Sequence, residues 1–434
     1  MIEPDEPVAV TRPGAIVLGG AHGSLEIARS LGRRRIPVWL VTADNPLPGL
    51  SRYVEKSLTW SGPRADGALR FLIELARRHN LDGWVLFAGS DEDLRFIAQN
   101  HLALGSAFTL TTPSWNKVRG AYDKRHMNAR AAELGIAQPR THYPRSRDEL
   151  NDLDIPFPVI LKPTVRESRN RFVDAKAWRA NDRRTLLALY DEARTLIGAD
   201  NIMIQEMIPG NGAAQFSYAG LWRDGRAVAS LVARRTRQYP IDFGFTSTFV
   251  ETVEQPAIEA LASRFLRSLD FSGLVEIEFK FDARDAAYKI LDVNARAWTW
   301  LGLGAAAGVD FPALQWRLAT GETVTPIVAR SGMRWRYLTR DLAAAFAEMM
   351  AGRLSAVNYL RSLRQSSASA VFAWDDPWPA LADLPLSAIR VVARRLCRRH
   401  RDNAIRLAIG EAAPLTAVTS SAAPPQPPVG TASA

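Results

Sequence analysis

The chain has 434 residues, 47% of them hydrophobic and 23% charged, the composition of a soluble globular protein of about two or three domains with a substantial core. One cysteine, Cys397, excludes an intrachain disulfide and a paired-cysteine zinc site and points to a reducing compartment, while six scattered histidines argue against a histidine-rich metal site. The formal net charge is +10, yet residues 386–401 alone carry six arginines, and without a zinc finger or RNA-binding signature the excess does not point to nucleic acid.

The opening "MIEPDEPVAVTRPGAIVLGG" lacks a basic head, an apolar run and a small-residue cleavage site. No stretch of about 18 apolar residues follows, so a cytoplasmic protein is expected. Residues 15–42, "AIVLGGAHGSLEIARSLGRRRIPVWLVT", read as strand, Gly-rich turn, amphipathic helix and second strand, a βαβ unit. The turn Gly19-Gly20-Ala21-His22-Gly23 departs from GxGxxG and has no acidic partner at the next strand's end. It is either a tight turn or a loop facing a substrate. "GWVLFAGSDEDLRFIAQN" (83–100) repeats the plan, with Asp91 and Glu92 expected as caps at a helix N-terminus.

A helix, "KRHMNARAAELG", is stopped by Gly135 and followed by the extended "IAQPRTHYP", a boundary into a second unit near residue 120. "FPVILKP" (157–163) and "NIMIQEMIPGNG" (201–212) are apolar strands with polar exits, and "LVEIEFKFDARDAAYKILDVNARA" (274–297) is a hairpin turning at "DARDAA". Residues 121–330 are thus expected to be α+β with an antiparallel sheet, after an α/β domain over 1–120. From 331 to 410 the pattern turns helical and ends in a basic amphipathic helix at 386–401, and the Pro/Ala/Ser-rich 411–434 is expected to be disordered.

The hairpin carries the chemistry. Side chains alternate between faces of a strand, so Glu276, Glu278 and Lys280 share one face of the first strand and Asp292, Asn294 and Arg296 one face of the second. Two unpaired carboxylates at short range repel. A divalent cation removes that conflict, and Mg²⁺, or Mn²⁺ in its place, takes hard oxygen ligands and completes its shell with water and substrate phosphates. Arg296 would then reach phosphate oxygens. The alternative is an ordinary hairpin with a solvated polar side and cross-strand ion pairs.

These pieces resemble the ATP-grasp superfamily. "VEIEFKF" followed by "LDVNAR" resembles its E-x-N-x-R metal hairpin, with Glu278 and Asp292 14 residues apart. "YDKRHMNARAAELGIAQP" resembles its entry helix, "FPVILKP" its lysine strand and "IMIQEMIPG" its adenine strand. Together they cover about residues 120–320, preceded by what looks like the family's Rossmann-like pre-ATP-grasp domain. The resemblance implies an ATP-grasp fold with a lid over about 125–200 and a C-terminal helical extension. The nearest group is the predicted ATP-dependent carboligases, or carboxylate-amine ligase-like proteins, in which "RRTRQYPIDFGFTSTFVE" (234–251) and "FAWDDPWP" (372–379) have counterparts.

Residue by residue, the resemblance implies Mg²⁺ on Glu278, Asp292 and Asn294, with Arg296 steadying the transferring phosphate. Lys124 and Lys162 would contact ATP phosphates, Gln205 and Glu206 with the backbone of Met207 and Ile208 would read adenine and ribose, and Gln215 is a further ribose candidate. Arg235, Arg237 and Gln238 either face the γ-phosphate or an anionic acceptor, or form a solvated basic strand. The lid segment "TVRESRNRFVDAKAW" lacks the family's glycines, so Arg166, Ser168, Arg169 or Lys176 is expected to contact phosphate there, and Asp292 stands where a glutamate is usual.

The implied reaction is carboxylate activation by ATP to an acyl phosphate, followed by attack of an amine. The alternatives are an ATP-grasp kinase or carboxylase with another acceptor, or a non-catalytic ATP-binding scaffold held at an anionic membrane by the basic helix. That helix either packs on the catalytic domain or lies on the membrane.

Overall fold

The computed structural model describes residues 12–20, 22–43, 45–165, 170–210, 212–239 and 246–389. The short apolar runs β1 (Ala15–Leu18), β2 (Val38–Thr42), β3 (Lys56–Thr59), β4 (Val85–Ala88) and β5 (Thr109–Leu110) form a parallel sheet in the order β3-β2-β1-β4-β5. Every residue of β1 and β4 is buried, as central parallel strands covered on both faces require. The connecting helices are α1 (His22–Gly32), α2 (Ala68–His79), α3 (Asp91–Gln99) and α4 (His101–Gly105). The glycines after β1 answer to close approach: a methyl on Gly20 would fall 1.9 Å from the Asn45 carbonyl oxygen, and one on Gly23 2.9 Å from that of Trp298. The turn is therefore packed on two other segments.

Next come α5 (Trp115–Tyr122) and α6 (Lys124–Glu133). Asp123 caps α6 by accepting the Arg125 amide at 2.8 Å, which sets Lys124 at the first position of the helix. A lid-like sheet follows, built from β6 (Thr141–His142), β7 (Val159–Pro163), β8 (Trp178–Ala180) and β9 (Ile202–Glu206) in the antiparallel order β6-β9-β7-β8. Of its helices, α7 (Arg171–Ala175) and α8 (Arg183–Ile197), the second turns Leu186, Tyr190 and Ala193 onto Val159, Leu161 and Ile204. The three-and-four spacing makes one apolar stripe.

The central sheet contains β10 (Gln215–Arg223), β11 (Arg226–Tyr239), β12 (Thr246–Val253), β13 (Gly273–Asp282) and β14 (Ala287–Asn294). Helix α9 (Pro256–Ser268) buries Ile258, Ala262, Phe265 and Leu266 in the same core as Tyr218, Val275 and Ile277. The alternate residues Ser217, Glu276 and Glu278 consequently face the other side. After α10 (Gly302–Ala306), α11 (Phe311–Ala319) and β15 (Ile327–Val328), the extension adds β16 (Arg334–Arg336), α12 (Leu338–Met350), α13 (Ala356–Arg364) and β17 (Ala368–Ser369). The sheet order is β14-β13-β10-β11-β12-β16-β17, with β15 parallel to β11. Besides its helices, the extension thus supplies strands to the sheet that holds the site.

The extension then returns to the first domain. Asp376 accepts Arg29 Nε at 2.9 Å, Ser51 Oγ at 2.7 Å and the Arg52 amide at 3.0 Å, while Arg29 also donates to the carbonyls of Val371 and Asp376. Both charged side chains are almost wholly buried. Asp375 beside it accepts from Arg33 and Tyr53. Residues 1–383 form one compact unit and 384–434 a second. The expected tail at 411–434, and residues 390–401 of the expected basic helix, lie outside the described residues. Among the described residues no helix is long and apolar enough to cross a membrane.

Removing one partner of a buried ion pair strands the other. Asp376→Ala should therefore lower unfolding free energy by about 3–5 kcal/mol, measured by urea titration; a loss no larger than that of an exposed surface pair would contradict the assignment.

Candidate active site

Strands β13 and β14 pair antiparallel, with Glu276 opposite Asn294 and Glu278 opposite Asp292. A β-bulge follows, because the next partners are Phe279 and Ile290, which leaves Leu291 as the extra residue. A bulge re-aims side chains. Leu291 accordingly lines the cavity beside Asp292, while Ile290 and Val293 enter the core.

The cavity has a volume of about 260 Å³. Of the residues singled out from sequence, Lys124, Lys162, Lys176, Gln205, Glu206, Met207, Ile208, Gln215, Glu278 and Asp292 line it, together with Gln238. Lys124 donates to Asp292 Oδ1. Arg235 NH1 lies 2.7 Å from Glu278 Oε1, its Nε donates to Ser247 Oγ at 2.6 Å, and Gln215 donates to Glu278 Oε2 at 3.3 Å. Each acid therefore has its own cation.

The ionisation of the site follows from these neighbours. Burial pushes the Asp292 carboxyl up, but Lys124, Lys176 and Lys162 together bring it down to about 2. Burial acts on Glu278 in the same direction, and Arg235 and Lys176 outweigh it, so its pKa also falls. Glu276 goes the other way, raised by burial and by the charge of Glu278. The Lys162 ammonium, buried and close to Lys124, drops to about 8. It donates to Gln205 Oε1 at 3.0 Å.

Several expected positions are corrected. Asn294 sits with Glu276, donating to its Oε2 at 3.1 Å and accepting from Arg296 at 3.2 Å, one ladder step away from the two acids. Arg296 makes a two-pronged contact with Asp91, at 2.7 and 3.1 Å, across from the first domain. Asp91 is thus a partner of the hairpin, and the cap of α3 is Ser90, which accepts the Asp93 amide. Glu92 pairs with Arg64. The Glu206 carboxylate is taken up by the Arg140 amide, Arg284 and Lys289. Arg237 does not line the cavity: it grips Asp341 on α12 at 2.9 and 2.7 Å, with its guanidinium 4.2 Å from the Phe249 ring centroid.

Other lining residues were not foreseen. Lys280 donates to the carbonyls of Ile208 and Gly210, both at 2.9 Å, and so ties the strand exit to the sheet; its two-residue spacing from Glu278 was the available signal. Ile160 stands two residues before Lys162 on β7, so the same alternation was its signal, while Arg353 comes from beyond α12 and had none. In the lid, Lys176 reaches the cavity from a backbone with φ +69°, a region non-glycine residues rarely adopt. Arg166, Ser168 and Arg169 lie outside the described residues.

The donor set fits Mg²⁺. Two carboxylates face each other in a basic cleft, and among the described residues no group of three His, Cys, Asp or Glu side chains forms a complete cage. A small hard cation held by one or two carboxylates and by substrate oxygens matches that count.

Comparison with known proteins agrees with this geometry. Residues 200–341 match the family model described as ATP-grasp in the biosynthetic pathway with Ter operon. The carbamoyl phosphate synthase large chain of Gemmatimonas aurantiaca is 22% identical over 269 residues, 60% of this chain, and the match spans only 23% of that relative's length. L-amino acid ligase from Bacillus licheniformis has a TM-score of 0.55 at 17% identity, covering 72% of this chain and 75% of that one. The biotin carboxylase domain of 2-oxoglutarate carboxylase from Hydrogenobacter thermophilus, solved with MgADP and bicarbonate, has a TM-score of 0.58 at 13% identity, covering 74% and 73%. The chain has the ATP-grasp fold, and residues 200–341 match the family's model.

The Arg237–Asp341 pair tests the division between fold and chemistry. Asp341→Ala should cost about 3–5 kcal/mol of stability by leaving a buried guanidinium unpaired, and Arg237→Met with Asp341→Leu should recover most of it. Urea unfolding measures both; a double variant as unstable as the single one would show that the pair does more than neutralise itself.

Proposed function

We propose that the cleft binds Mg-ATP and that the protein is an ATP-dependent ligase, activating a carboxylate as its acyl phosphate and joining it to an amine. The observation that carries this reading is the facing pair Glu278 and Asp292, ringed by Lys124, Lys162 and Lys176 at the end of a slot walled by Ile160, Met207, Ile208 and Leu291. The apolar slot suits a purine ring, and the three lysines suit a triphosphate. The backbone at 206–208 is the edge available to the base.

Glu278 and Asp292 would hold Mg²⁺, with Asn294 joining only by releasing Arg296. When bound, Mg²⁺ would supply positive charge against the charge that develops on the transferring group. The chain's own residues do the rest. Lys124 and Arg235 neutralise the two acids and stand beside the place a phosphate would take. Lys162 must be an ammonium to bind phosphate, and the incoming anion restores the charge that burial weakened. A carboxylate oxygen attacks the γ-phosphorus and ADP leaves. The amine then attacks the acyl carbon, loses a proton, and phosphate departs. Positioning and exclusion of water are the enzyme's contributions.

Asp292→Asn or Glu278→Gln should lower ATP turnover by about 10²–10³-fold while circular dichroism stays unchanged. Turnover is read as ADP release with a panel of carboxylates, and hydroxylamine as the amine converts an acyl phosphate to a hydroxamate. Full activity in both variants would refute the metal assignment.

The Lys162 pKa of about 8 gives a second test. Its charged form is lost as pH rises through that value, so ATP affinity should weaken above pH 8, with proton uptake on binding near pH 8–9 seen by calorimetry in two buffers. Lys162→Gln should bind more weakly and lose the pH dependence; a slope that survives the substitution rules Lys162 out as its origin.

A further inference from the structure

The helices of the extension turn polar and small residues inward and leave their outer faces apolar. On α12, Asp341, Ala344 and Ala345 are buried. Leu338, Leu342, Phe346 and Met350, four residues apart, are exposed, Phe346 by 66% and Met350 by 74%. Helix α13 brings Tyr359 and Ser362 to the same buried Arg237 that Asp341 grips, and leaves Val357 and Leu360 exposed. Both helices converge on one guanidinium, so their apolar rows share the outside of one substructure. The helical residues 378–383 continue it: Asp383 accepts from Tyr337 and Thr339 at the start of α12, and Trp378 and Leu381 are exposed. Single exposed apolar side chains are ordinary, but a contiguous run marks an interaction surface.

The charge on this stretch selects the partner. Residues 334–401 hold twelve arginines, no lysine and five acids. The acids are already engaged: Asp341 with Arg237, Asp375 with Arg33, Asp376 with Arg29, Glu348 with Arg353, and Asp383 with two hydroxyls. Arg361 and Arg364 are exposed beside Val357 and Leu360, and six more arginines follow in residues 390–401, outside the described residues. Apolar side chains and an exposed tryptophan flanked by arginine match the interface of an anionic bilayer. A twofold contact between copies would instead press the same arginines against one another.

We propose that α12, α13 and the start of the following helix form a docking surface for an anionic lipid membrane, with Phe346 and Met350 entering the interface and Arg361 and Arg364 meeting lipid headgroups. The full chain should float with phosphatidylcholine vesicles containing about 30% phosphatidylserine and not with phosphatidylcholine alone. Phe346→Ser with Met350→Ser, and separately Arg361→Glu with Arg364→Glu, should each weaken binding at least about tenfold while thermal unfolding is unchanged. Absence of binding to the anionic vesicles overturns the proposal, as does equal binding by both double variants, which would place the contact elsewhere in the chain. A dimer in light scattering that Phe346→Ser dissolves, without vesicle binding, would give this face to a second copy and also overturn it.

Discussion

Two carboxylates facing each other across a β-ladder, Glu278 and Asp292, constrain everything around them. Buried like charges at that range are unfavourable unless each is compensated. The fold meets the requirement from three directions: α6 delivers Lys124, β11 delivers Arg235, and the lid delivers Lys162 and Lys176. The cleft is therefore an electrostatic meeting point of all the subdomains that surround it. Arg296 extends the network to the first domain through Asp91, so the hairpin that holds the acids is tied to the parallel sheet as well.

What was legible in the sequence was local. The apolar strands with polar exits, the hairpin and the facing of Glu278 and Asp292 follow from period-two alternation around a short polar turn. What was hidden depended on irregularity or on distance. The bulge at Leu291 cannot be seen in an alternating pattern. Arg235 and Arg237 stand two apart and were read as equivalent, but register shifts between β11 and β12 on both sides of Arg237 break the alternation. One arginine meets Glu278 and the other meets α12. The partner of Arg296 lies 205 residues earlier, beyond any local rule, so Asp91 looked like a helix-terminal acid.

The same logic separates the two faces of the extension. Its inner side is bound to the central sheet by Arg237, Tyr359 and Asp341, and Arg353, just beyond α12, reaches the cavity itself. One helix thus joins the cavity on its inner side to an apolar, arginine-flanked surface on its outer side. Any displacement of α12 is felt at β11, the strand that also carries Arg235.

The clasp between Arg29 and Asp376 has a consequence for how the chain is made. Its partners are 347 residues apart. A ribosome releases the βαβ unit long before the aspartate exists, so the Arg29 guanidinium stays solvated until the central sheet and the segment beyond it have emerged. The βαβ unit is thus completed by a contact of very high sequence separation, of the kind that slows folding.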